Sequence, residues 1–177
     1  MLSKKSSSEL LQRIVEGQVS PIQLAENIGY SCVVDRAIAA NPTTPHQTLR
    51  ILAKSLDNET RKNVAENVST STDILFELAS EFPQEFFRNP LLDIMMLEDP
   101  MVLKRLDPGV LKSFLNDSGC PESLITWACR FGYKTDQLAV LKKNSLSPKN
   151  LRYIARGPHP KAAERAKDRL IEMGESW

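Results

Sequence analysis

The chain has 177 residues, 41% of them hydrophobic and 25% charged, and a formal net charge of only +1. That length suits one domain with small terminal caps and its own core, and the near-neutral balance excludes a global field that would draw in nucleic acid or an anionic surface. No stretch reaches the length of a membrane span or a secretory leader. Cys32, Cys120 and Cys129 lack paired spacing and read as reduced thiols in a cytoplasm.

Glu9 to Glu16 (ELLQRIVE) reads as an amphipathic helix that begins after the serine run and ends at Gly17. Ser20-Pro21-Ile22-Gln23 has the capping-box pattern and opens a second helix that ends near Gly29. Residues 1–32 are therefore expected to form a helical cap. Residues 33–157 should form a repeat array and residues 158–177 a closing helix, all in one continuous domain.

Val33 to Ala53 (VVDRAIAANPTTPHQTLRILA) sets the pattern of the array. Val33, Val34, Ala37, Ile38 and Ala40 recur at helical spacing and leave Asp35 and Arg36 outside. Asn41 suits a left-handed position just past the helix end, and Pro42 prevents continuation. Thr44 is the expected N-cap of a second helix, with Pro45 at its first position and Leu49, Leu52 and Ala53 on its apolar edge. Helices this short cannot hold alone in water, so each must pack against a neighbouring copy.

Copies recur with corners at Asn41, Asn67, Asn89, Asn116 and Asn144, spaced 26, 22, 27 and 28 residues apart. Leu49, Leu52 and Ala53 align with Leu75, Leu78 and Ala79, and LRYIA at 151–155 mirrors LRILA at 49–53. In the fourth copy Pro121, Leu124 and Ala128 take these positions, with Trp127 filling more volume. The third copy is short, lacks the Thr-Pro cap and runs almost continuously apolar (LLDIMML). Met95, Met96 and Met101 offer an adaptable groove there, although their spacing with Leu92 and Leu97 favours core packing. After Pro158-His159-Pro160, Lys161 to Met173 should form a helix whose edge is Ala162, Ala166, Leu170 and Met173.

This pattern resembles the leucine-rich repeat variant family, whose units of roughly two dozen residues read V-R-x-x-V-A-x-N-P-x-T-P-x-x-x-L-x-x-L-A. Asp35 to Pro45 with Leu49, Leu52 and Ala53 fits it closely, Lys62 to Asn67 partly, and the rest to about Ala155 loosely. The resemblance implies an all-α fold: a right-handed α-solenoid of alternating α and 3₁₀ helices, similar to HEAT and armadillo arrays. One family member carries an iron–sulfur cluster on an N-terminal cysteine cluster. This chain has no such cluster, and no cofactor is carried over.

Charge is unevenly distributed. Residues 73–107 sum to −5 and residues 134–169 to +7, an acidic middle and a basic end. His46 and His159 stand apart without carboxylates or cysteines at metal-ligand spacing, so no metal site is expected. No nucleophile elbow, P-loop, dinucleotide fingerprint or zincin motif occurs, and Cys129 beside Trp127-Ala128 reads as a buried, inert thiol. The expected function is therefore a non-enzymatic protein–protein interaction scaffold, binding another protein or a second copy of itself. The alternative is nucleic-acid binding through the basic end, led by Lys142, Lys149, Arg152 and Arg156. There Tyr153 could stack on a base, but it occupies the slot of Ile51 and so reads as core.

Overall fold

The structure, a computed structural model, describes residues 4–177, with side chains from residue 7 onward. The fold is all-α, with thirteen α-helices, one 3₁₀ segment and no strand among the described residues. The chain divides into two compact units, Met1–Ile94 and Met95–Trp177.

Unit 1 holds α1 (Lys4–Val15), α2 (Pro21–Glu26), α3 (Cys32–Ala40), α4 (His46–Leu52), α5 (Asn58–Glu66), α6 (Thr72–Leu78) and α7 (Pro83–Arg88). The helix α8 (Leu91–Glu98) spans the cut between the units. The odd-numbered helices pack in series, α1 on α3, α3 on α5 and α5 on α7. Ile14, Leu24, Val34, Ile38, Leu49, Leu52, Val64, Ile74, Leu78 and Phe82 join in one continuous apolar core. No single helix could bury its stripe alone, so the core exists only through the stacking.

The Ser20 capping box forms as predicted, with Ser20 Oγ accepting from Gln23 N and Gln23 Oε1 accepting from Ser20 N. The helix α2 ends at Glu26, three residues before Gly29, whose φ of 78° is open to glycine without strain. By contrast α1 starts at Lys4 and runs through the serines that were expected to precede it.

The corner of the repeat differs from its predicted form in three ways. Asn41 is extended, at φ −75° and ψ 122°, rather than left-handed. Thr44 does not cap α4, because Pro45 holds the N-cap position and Thr44 Oγ1 donates to Ile38 O at 2.6 Å. The face of α3 is also narrower than the sequence pattern, with Val33 and Ala40 exposed and only Val34, Ile38 and Ala39 buried. The second copy repeats the same chemistry, with Asn67 extended and Thr70 Oγ1 donating to Val64 O at 2.6 Å.

Side-chain amides join one copy to the next. Asn41 Nδ2 donates to Ile14 O at 3.2 Å, and Asn67 Nδ2 donates to Ala39 O and Asn41 O at 2.7 and 2.9 Å. Asn89 Nδ2 donates to Ala65 O and Asn67 O at 2.9 and 3.3 Å. The carbonyls of Ile14, Ala39 and Ala65 lie in the last turn of α1, α3 and α5, where a helix leaves acceptors without intrahelical donors. Each Oδ1 meanwhile accepts the N–H two residues on, from Thr43, Ser69 and Leu91.

Unit 2 continues with η1, a 3₁₀ segment (Val102–Arg105), then α9 (Pro108–Leu115), α10 (Glu122–Phe131), α11 (Lys134–Val140), α12 (Pro148–Ala155) and α13 (Pro160–Glu172). Here α9 packs on α11, α10 on α12, and α12 on α13. The expected alternation of α and 3₁₀ helices is replaced by α-helices throughout, apart from η1. The apolar run of the third copy is divided, with Leu92 and Met95 buried and Ile94, Leu97 and Met101 exposed. At the other end Ala162, Ala166 and Leu170 are fully buried as predicted, while Met173 is exposed.

Candidate functional site

Asn116 and Asn144 do not continue the ladder. Both are exposed, and Asn116 Nδ2 turns back onto Lys112 O of its own helix. Long cationic side chains do the same work in unit 2. Lys143 Nζ donates to Asp117 O at 2.6 Å, and Arg169 Nη1 donates to Leu141 O and Lys143 O at 2.9 and 3.0 Å. A cation suits these positions because the C-terminal end of a helix carries partial negative charge. Trp127 makes an equivalent bond, its indole N–H donating to Pro100 O. Part of the basic end is therefore structural: Lys143 and Arg169 close helix ends.

Other cations face outward. Lys149, Arg152, Tyr153 and Arg156, all on α12 or at its C-cap, line an open concavity of about 220 Å³. Their spacing places them on one side of the helix while Leu151, Ile154 and Ala155 turn inward. The guanidinium of Arg130, on α10, lies 5.1 Å from the centre of the Tyr153 ring. The slot of Tyr153 is not core, because its counterpart Ile51 is 58% exposed and Tyr153 itself is only half-buried. Tyr153 sits beside the buried Ile154 at the edge of the stripe, and helical spacing alone does not say on which side of that edge it falls.

Arg152 has an acidic partner from the segment that follows α13. Its Nη2 donates to Glu175 Oε2 at 2.6 Å and its Nε to Ser176 O at 2.8 Å. Lys167 Nζ sits 3.8 Å from the centre of the Trp177 ring. Gly174, at φ 72°, makes this contact possible. Its N–H donates to Ile171 O while Glu175 N donates back to Leu170 O at 2.8 Å, the paired bonds of a glycine-terminated helix end.

Lys142 stands apart from this cluster. It lines a different concavity of about 240 Å³ together with Lys112, Thr135, Leu138, Ala139 and Arg165. The structure thus brings together three of the four cations singled out from sequence, Lys149, Arg152 and Arg156, and assigns Lys142 to a second basic depression across α9, α11 and α13. Sequence reading did not find Arg130, Glu175 or Trp177 as members of the first surface. The one local signal was Gly174 after a helix-forming run, which marks a reversal but not where the chain goes next.

Three buried groups behave as interior residues. Burial pushes the Cys120 thiol up to about 11 and the Cys129 thiol up to about 12, which withholds the reactive thiolate at neutral pH. Burial also raises the Asp136 carboxyl above its ordinary range, against a hydrogen bond from Tyr133 N at 2.8 Å. No helix among the described residues is long and apolar enough to cross a membrane. No family model, no curated protein and no solved structure matches this chain.

Proposed function

We propose that this protein is a non-enzymatic interaction scaffold, a helical-repeat array of the solenoid kind that resembles the leucine-rich repeat variants, and that it docks a partner protein through unit 2. One observation carries this reading: the cations of the basic end divide into those that close helix ends, Lys143 and Arg169, and those that line open concavities, Lys149, Arg152 and Arg156. Open, shallow and charged surfaces on a stack of short helices suit a macromolecular face more than an enclosed small molecule. In unit 1 the asparagine bonds between copies are buried and leave the outer faces of those helices for contact.

Nucleic-acid binding is the second reading, supported by the three cations around a half-buried tyrosine. One face of that ring already lies beside Arg130, which weakens it as a stacking platform. The two readings separate in a capture experiment from native lysate, with and without nuclease, comparing the parent chain with Lys149→Glu/Arg156→Glu. A discrete protein retained after nuclease and lost in the variant supports the scaffold. Capture that vanishes with nuclease sinks it in favour of the second reading.

A further inference from the structure

We propose that the concavity lined by Lys149, Arg152, Tyr153 and Arg156 recognises an acidic segment of a partner protein, and that Glu175–Trp177 is a built-in competitor seated on the same guanidinium. The inference rests on the protein-binding reading above and adds to it the chemistry of the ligand and a means of control.

The chain itself displays the chemistry that the surface accepts. Arg152 holds a carboxylate, that of Glu175, and a main-chain carbonyl, that of Ser176. An acidic peptide offers both, a side-chain carboxylate and a main-chain carbonyl, and the planar guanidinium fork matches them with two separate donors. The neighbouring ammonium of Lys167 lies over the Trp177 ring, a cation–π contact that holds the aromatic end of the same segment. Lys149 and Arg156 are exposed on the same concavity, so a longer acidic ligand would find cations on both sides of Arg152.

The competitor is weak by construction. The Arg152 and Glu175 side chains are 33% and 41% exposed, so the pair is well solvated and screened. Trp177 remains 55% exposed despite its contact with Lys167. A segment held this way opens readily, and an incoming acidic ligand replaces one carboxylate with several. The apparent affinity of the site then falls by the fraction of time that the segment occupies Arg152.

The test uses fluorescence anisotropy on the full chain at low salt, with two labelled probes. One is a decapeptide of glutamate and serine residues with a single tryptophan, and the other is a single-stranded decauridylate. Glu175→Gln/Trp177→Ala should bind the peptide about three- to ten-fold more tightly than the parent. Lys149→Glu/Arg156→Glu should lose measurable binding while its circular dichroism and melting temperature stay those of the parent, since both side chains are exposed. Equal peptide affinity in the parent and in Glu175→Gln/Trp177→Ala would overturn the competitor and leave the protein-binding reading standing. Peptide binding untouched by the charge reversal would overturn the site. Decauridylate bound through these residues in preference to the peptide would overturn both the ligand class and the protein-binding reading.

Discussion

The asparagine at each corner of unit 1 works at both ends of its side chain. Its amide nitrogen offers two N–H donors, and in Asn67 both are used, on Ala39 O and Asn41 O, while Oδ1 takes Ser69 N. Aspartate has the same shape but no donor, and serine has only one. Asn67→Ala takes the side-chain donor from Ala39 O and the acceptor from Ser69 N, while Asn41 O keeps its bond from Thr44 N, and should cost on the order of 3 kcal/mol in urea denaturation. Asn67→Asp should cost at least as much. Asn116→Ala, at an exposed corner, should stay within about 0.5 kcal/mol of the parent. Equal losses at the two positions would show that the amide ladder has no special part in stability. The spacing of these asparagines is visible in the sequence, but their partners are not. Each one bonds a carbonyl 22 to 28 residues earlier, and nothing local encodes that choice.

Helices in unit 1 are tied pairwise by charge as well as by apolar contact. Arg36 on α3 forms a two-pronged pair with Asp57, which caps α5, at 2.8 and 2.6 Å. Arg50 on α4 pairs with Asp73 on α6 at 2.7 Å, and Arg61 on α5 pairs with Glu81 just before α7. Hydrogen bonds from Arg36 and then Thr60 hold the Asp57 carboxyl below its usual range, and the bond from Arg61 holds Glu81 there. A depressed native pKa means that this stabilisation is complete above the unfolded carboxylate value of about 4 and is lost as the pH falls through the native one. The urea midpoint should therefore drop on acidification below pH 5, and Arg36→Gln should show a lower plateau with a shallower drop. A parent and variant that stay parallel across the range would remove the pair from the account. The apolar stripes allow a second check at this scale. Leu52→Asp or Leu78→Asp buries an unpaired charge and should abolish the cooperative helical signal in circular dichroism, whereas Ile51→Asp, one position away on the exposed edge, should leave it intact.

Across the whole molecule, burial is graded along the chain. Side chains of α3, α5 and α12 such as Ile38, Val64, Leu151 and Ile154 are fully buried, while residues 97–101, from the end of α8 to the start of η1, are exposed throughout. Amide hydrogen exchange should accordingly be slowest on those three helices and fastest near residues 97–101. Uniform protection along the chain would contradict this gradient. The sequence by itself determined the all-α class, most helix positions, the capping box at Ser20 and the buried edges Leu49/Leu52, Leu75/Leu78 and Ala162/Ala166/Leu170. These features follow from periodicity, proline and capping chemistry within a few residues, which a single sequence contains. Only the tertiary structure decided that Asn41, Asn67 and Asn89 bond the previous copy while Asn116 and Asn144 face solvent, and that Lys143 and Arg169 replace them. It also separated Lys142 from Lys149, Arg152 and Arg156, and brought Glu175 onto Arg152. Those outcomes depend on which groups far apart in the chain are brought within hydrogen-bonding distance, and a side chain's sequence neighbours carry no information about the carbonyl or carboxylate that packing will place in front of it.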